Sequence, residues 1–374
     1  MFIYWLLFFI PSFFAVIGNK RLLTVNNQKY SLHLDPIWLS IIALLTLVIG
    51  LRHHVGGDWY AYLRMLRHVD QTKDSFFNDL PYLFAGDAGY LFLNWISAHI
   101  GGGIYTVNLL CGLIFSIGLA IFCRSMPRPF LALAVSIPYL VVVVSMGYSR
   151  QGIALGLSML ALVMLVRQRL AWFIFFSILA SLGHKSGIIM LPIAALAASK
   201  NKFLSLVLII LLAAFLYYSY LAEPFELLYK NYIANQDAQS QGAFIRLLMC
   251  VFPAMIYLIW PHRFYFNPQE RALYKLMCLI SIGLFFLLLI NPNISSAIDR
   301  VALYMLPIQL VIFSHVPDML NDKKITSQLL TLSIIFYYFC VLFIWLNFAI
   351  NSQDWIPYRT YLLEFSVETH QIID

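Results

Sequence analysis

Apolar residues fill this chain in consecutive blocks of about 15 to 24, close to the roughly 20 helical residues needed to cross a hydrocarbon core. The blocks fall at 1–18, 37–51, 104–123, 130–146, 150–167, 171–184, 185–199, 203–221, 244–260, 273–290, 299–316 and 327–350. They predict an all-α, polytopic integral membrane protein with about twelve transmembrane helices, forming one membrane domain over residues 1–374. Two stretches interrupt the series, at about 52–103 and 222–243, and neither is long or varied enough to make a soluble catalytic domain. Chemistry must then be done by loops and by the helix ends beneath them.

Two irregularities stand out. The segment from Gly89, GYLFLNWISAHI, is apolar but too short to span, which predicts an interfacial helix on the outer leaflet. Around LGHKSGIIMLP, blocks of about 13 and 14 residues are short for full crossings. A helical pair or broken helix with its polar tip buried in protein is expected there, because irregular backbone at membrane depth is tolerated where it lines a cavity.

Composition agrees: 61% of residues are hydrophobic and 11% charged. A net charge of +7 would suit nucleic acid were it clustered, but the placement of Lys and Arg argues otherwise. With the N-terminus outside, the inner segments hold 14 of the 24 basic residues and four of the 17 acidic ones, giving +10 inside and −3 outside. That is the bias that orients membrane proteins, and it puts both termini outside. The first apolar block has no basic leader and no clear cleavage site, so it is read as a retained span. The five cysteines all lie in apolar blocks without CxxC spacing and are read as small hydrophobes. No HExxH, DxD, GxSxG or Walker motif is present, and no cofactor or metal is expected.

The unusual polar residues gather on the outer side. RHHVGGDWYAY at 52–62 brings Arg52, Asp58, Tyr60 and Tyr62, and Asp87, Tyr90 and Asn94 surround the interfacial helix. Arg150 and Gln151 open one span, while His184, Lys185 and Ser186 mark the short pair. Asp299, Arg300 and Tyr304 open another span. An ionisable group inside a span costs at least about 2.5–3.5 kcal/mol unless it faces a cavity or a partner. Arg52, Arg150 and Arg300 can each be interfacial anchors; together over one cavity, their forks suit a diphosphate. Asp58 and Asp87 can be solvated loop acids, yet the Gly56-Gly57 lead lets the backbone close on a ligand beside Asp58. His184 is either a general base or a structural hydrogen-bonding residue. His53 and His54, as neighbours, are expected to point apart, which argues against a two-histidine metal site. Trp59, Tyr60, Tyr62, Tyr90 and Trp95 are either sugar platforms or the usual aromatic belt.

Taken in order, Arg52-x-x-x-Gly56-x-Asp58-x-x-x-Tyr62, Asp87-x-Gly89-Tyr90 with Asn94, Arg150-Gln151, His184-x-Ser186 and Arg300-x-x-x-Tyr304 resemble the EpsG family of Wzy-like bacterial polysaccharide polymerases. The likeness covers most of the chain, and its specificity lies in the ordered set. One departure is Asp87, where the motif is expected to carry a glutamate. The resemblance implies joining of oligosaccharide repeat units carried on undecaprenyl diphosphate, at the outer face of the bacterial cytoplasmic membrane. It implies partners in membrane lipid, a flippase and a chain-length regulator, and none in nucleic acid. Under it, Arg52, Arg150 and Arg300 would hold the diphosphate, and Gln151 and Tyr304 would be further substrate-binding residues. Asp58 or His184 would be the base, and Asp87, a third catalytic candidate, would contact sugar with Tyr62 and Tyr90. Two other readings are a lipid-linked glycan flippase and an outer-face ligase or acyltransferase. Alternating access predicts charge near mid-membrane and a repeated half, which this chain lacks.

Overall fold

The computed structural model describes residues 1–18, 35–78, 86–197, 207, 242–319 and 324–363, and among these every regular element is helical. Apart from residue 207, the expected span at 203–221 lies outside the described residues, as does all but the end of the 222–243 loop. Among the described residues, fourteen α-helices carry the fold. They are α1 (Phe2–Ile17), α2 (Pro36–Gly50), α3 (Trp59–Gln71), α4 (Ala88–Ile100), α5 (Gly103–Arg124), α6 (Pro129–Ser136) and α7 (Ser149–Val166). There follow α8 (Leu170–Gly183), α9 (Met190–Ala197), α10 (Ala243–Ile259), α11 (Pro268–Ile290), α12 (Ser295–Met305), α13 (Pro307–His315) and α14 (Lys324–Phe348).

Four helices, α5, α7, α11 and α14, are long and apolar enough to cross a membrane, and the α12–α13 pair makes a fifth crossing if its 41° bend lies within one span. Five further apolar helices have 10–17 residues. The chain is thus a multi-helix membrane protein, and the expected count of twelve crossings is not reached by length and composition among the described residues. Two local breaks interrupt the expected spans. Pro138 lacks the N–H for the ladder, and the backbone after α6 widens into a π-helix over Ile137–Ser145. The 184–186 break divides α8 from α9, as the short blocks predict: His184 is extended at φ −155°, and a 3-10 turn at Lys185–Ile189 follows.

Helix starts are legible in side chains. Asp35 caps α2, accepting from the Trp38 amide at 3.1 Å with Pro36 in the first turn. Asn267 and Glu270 form a capping box ahead of α11. On α3 the buried residues Trp59, Tyr62, Leu66 and Val69 share one helical face, while Tyr60, Arg64 and Arg67 lie exposed.

Helices α2 and α5 run antiparallel, which defines two ends of the bundle. At one end Arg124 pairs with Asp35 at 3.4 Å, and Arg128 binds Asp318 at 2.9 Å and Ser327 at 2.7 Å. At the other end lie the 52–58 loop, Asp87, Arg150, His184 and the start of α12. There the chain's last described segment folds back on the loop. The Gly56 amide donates to the Asp354 carbonyl at 2.9 Å, His53 to Arg359 at 3.0 Å, and Tyr361 to Leu51 at 2.9 Å. The Trp355 indole is buried and donates to the Val142 carbonyl of the π-helix at 2.8 Å.

Candidate active site

Five chain segments meet at this second end. Arg150, in the first turn of α7, holds Asp87 through Nη1 to Oδ2 at 2.9 Å, and the other carboxylate oxygen accepts the Lys185 amide at 2.9 Å. A single carboxylate therefore ties α4 to α7 and to the break after α8. Asp87 is a methylene shorter than the expected glutamate, and it reaches because Gly89 lets α4 come close: a Cβ there would stand 3.0 Å from the Leu182 backbone. The Arg150 guanidinium also lies over the Tyr62 ring, 5.6 Å from its centroid.

Tyr62 in turn donates to Asp58 Oδ2 at 3.2 Å, and its ring meets Tyr90 at 5.2 Å. Asp58 stands just before α3, after a loop that requires glycine. Gly56 has φ +105°, and a Cβ there would strike the Met146 carbonyl and, at 2.9 Å, Gly147 Cα. Burial raises the Asp58 carboxyl above its ordinary value, opposed by the charge of Arg150 and the Tyr62 hydrogen bond. An acid shifted this way suits proton acceptance.

His184 lies in the combined field of Asp87, Arg150, Arg300 and Lys185. Its Nδ1 accepts the Ser186 amide at 3.2 Å and lies 2.9 Å from Ser186 Oγ, which is also 2.9 Å from the Tyr304 hydroxyl. An amide can only donate, so Nδ1 is an acceptor and the proton of the neutral ring sits on Nε2. His184 thus presents a donor at Nε2. Arg300, one helical turn before Tyr304 on α12, is half-buried. Gln151, half-buried on α7, follows Arg150.

Arg52 is placed differently. It is 1% exposed, and four of its five N–H groups go to protein acceptors. These are the carbonyls of Val55 and Ile49, Asn108 Oδ1 at 3.2 Å and Ser149 Oγ at 2.7 Å. No open fork remains for a diphosphate. Arg52 instead knits the 52–58 loop to α5 and to the turn of α7 that carries Arg150.

Two further findings depart from the sequence. His53 and His54 do not point apart: His54 adopts φ +50°, and the rings meet edge-on at 4.2 Å. Neighbouring side chains diverge on a helix or strand, and a left-handed residue breaks both patterns. The second is Arg246, which the sequence reading passed over. Buried in the first turn of α10, it pairs with Asp299 Oδ2 at 2.7 Å, donates to the Asp299 carbonyl at 3.2 Å and to the Tyr139 hydroxyl at 3.0 Å. A lone arginine inside the apolar run AFIRLLM was the available signal. Its grip on both the backbone and side chain of Asp299 fixes the turn of α12 that carries Arg300. Several buried polar atoms here have no hydrogen-bond partner among the described residues: Arg150 Nε, Tyr90 Oη, Asn94 Oδ1 and Asp299 Oδ1.

A family model, the EpsG family, matches residues 36–360. The chain belongs to the EpsG family. EpsG proteins are a Wzy-like polysaccharide polymerase family, associated with glycosyltransferase-like activity. The EpsG match includes every segment that builds the site, from Arg52 to Tyr304, and ends in the arm that folds over the 52–58 loop. Comparison with curated proteins and with solved structures gives no match.

Proposed function

We propose that the chain polymerises a polysaccharide by transferring a glycan from a lipid diphosphate, such as undecaprenyl diphosphate, to an acceptor hydroxyl. The transfer takes place at the outer face of the bacterial cytoplasmic membrane. The observation that carries this reading is the meeting of Asp58, Asp87, Arg150, His184 and Arg300 at one end of an apolar bundle from a polymerase family. Outer-face placement is supported by the excess of Lys and Arg in the segments that the sequence assigns to the inner side.

In the reaction the acceptor oxygen attacks the anomeric carbon and the bond from that carbon to the diphosphate oxygen breaks. Its electron pair stays on the leaving diphosphate, and the hydroxyl proton passes to Asp58. Arg150 and Arg300 stabilise the charge that grows on the leaving group, an interaction stronger in the transition state than before it. His184 Nε2 offers a further donor. Asp87 keeps Arg150 aimed, Gln151 and Tyr304 contribute to substrate binding beside Arg150 and Arg300, and Tyr62 and Tyr90 pack beneath the sugar. Arg52 serves as the internal brace.

The test is the size distribution of surface polysaccharide in a strain lacking this protein, restored with wild type or with Arg150→Lys. Single repeat units in the deletion strain, returned to long chains by wild type alone, are expected. Long chains in the deletion strain would sink the reading. Repeat units trapped inside the cell would point to a flippase.

A further inference from the structure

A row of rings crosses the surface of the site end beside Asp58, and the transfer chemistry makes no use of it. Tyr361 of the C-terminal arm packs on Tyr105 at the start of α5, with centroids 4.2 Å apart. Tyr105 lies nearly parallel to His53 at 6.1 Å and 18°, and His53 meets His54 at 4.2 Å. His54 faces Tyr60 at 5.5 Å. Trp59 lies beneath, 5.9 Å and 5.6 Å from the two imidazoles.

Three segments remote in sequence build this row, and its polar tips are joined. His53 Nδ1 bonds the Tyr105 hydroxyl, and His54 Nδ1 lies 3.0 Å from the Tyr60 hydroxyl. Burial is graded across it: Trp59 is 2% exposed and Tyr60 61%. An aromatic belt needs rings only at headgroup depth. It does not call for a non-glycine residue at φ +50°, which is what brings the two imidazoles together. Strained backbone of this kind persists where its surroundings over-determine it, and it concentrates at ligand clamps.

The chemistry that fits is a pyranose oligosaccharide. Its C–H faces pack on aromatic rings, its hydroxyls meet phenol and imidazole at the ring edges, and the spacing along the row is comparable with one sugar residue. The row also ends at Tyr60, two residues after Asp58. We propose that it is a glycan shelf that retains the growing chain between transfers and so sets polymer length. This rests on the polymerase reading of the same end. Length follows from competition between the next transfer and release of the chain, and weaker holding acts mainly on release.

The experiment restores a deletion strain with wild type, Tyr60→Ala, Tyr60→Phe or a His54→Asn/Tyr60→Ala/Tyr361→Ala triple variant. Asparagine is chosen at 54 because it tolerates the left-handed backbone. Modal chain length and protein in the membrane are read together. Polymer several-fold shorter with Tyr60→Ala, shorter again with the triple variant and near wild type with Tyr60→Phe is the expected result. Wild-type lengths from both alanine variants overturn the shelf alone, as does less protein in the membrane with unchanged length, the signature of a belt. Long chains without the protein overturn the polymerase reading and the shelf with it.

Discussion

The two ends of the bundle both carry charge, and they spend it differently. At the basic end, charges pair off locally: Arg124 with Asp35, and Arg128 with Asp318 and Ser327. Each pair fastens one helix end to another, which completes its task. At the site end the contacts run on, from Lys185 to Asp87, Arg150, Tyr62 and Asp58, and from His184 through Ser186 to Tyr304. Such linked polar groups hold one another's geometry in surroundings of low dielectric, where an unmet group is costly. Isolated pairs fasten helix ends, and the linked groups are the candidates for chemistry.

Substitutions at the two ends should therefore separate activity from stability. The largest effect is expected for Asp58→Asn, about 10²–10⁴-fold in polymer formed, since a positioned base contributes on that order. Folding should not suffer. Burial raises the Asp58 carboxyl in the folded chain, so its contribution to stability is present below the ordinary carboxylate value and lost as pH rises through the raised one. At neutral pH an uncharged asparagine removes that cost. Wild-type activity should fall with acidification through a value above the ordinary carboxylate range, measured as initial rates across pH.

Arg150→Lys keeps the charge and loses the fork, with an expected loss of about a hundredfold at unchanged protein level. At Arg246 the effect moves to stability, with Arg246→Ala losing about 3–5 kcal/mol because Asp299 is left as an uncompensated buried charge. Melting in detergent would show this, and a wild-type midpoint would remove Arg246 as the brace of α12. Arg128→Ala is expected to cost about 1.5–3 kcal/mol, the worth of hydrogen bonds to a charged group, with activity per folded molecule unchanged. Asp35→Ala should cost about 1 kcal/mol through its cap. Lost activity in either of these last two, at normal folding, would break the division between the ends.

The all-helical membrane fold was legible because apolar blocks and the uneven spread of Lys and Arg are read directly along the chain. Crossing number was harder: the 184–186 break divides α8 from α9, Pro138 comes where α6 gives way to a π-helix, and residues 203–221 fall almost wholly outside the described structure. Asp58, Asp87 and Arg150 stood out as polar groups at span mouths, and the structure brings them together. Arg52 stood out equally, yet it is sealed in protein, since a sequence shows a guanidinium without showing what it already binds. Arg246 lies inside a block that passes as a plain span, and its partners, Tyr139 and Asp299, are distant in the chain. The meeting of His53 and His54 depends on one left-handed residue, which no periodic pattern reveals.

The most direct measurement places purified protein in liposomes with repeat units linked to a lipid diphosphate, and follows glycan length and released lipid diphosphate together. For wild type, one lipid diphosphate should appear per linkage formed, with both signals lost in Asp58→Asn and Arg150→Lys and kept in Arg128→Ala. Long glycan without released lipid diphosphate, or unimpaired transfer by Asp58→Asn, would contradict the assignment of this end as the site of transfer.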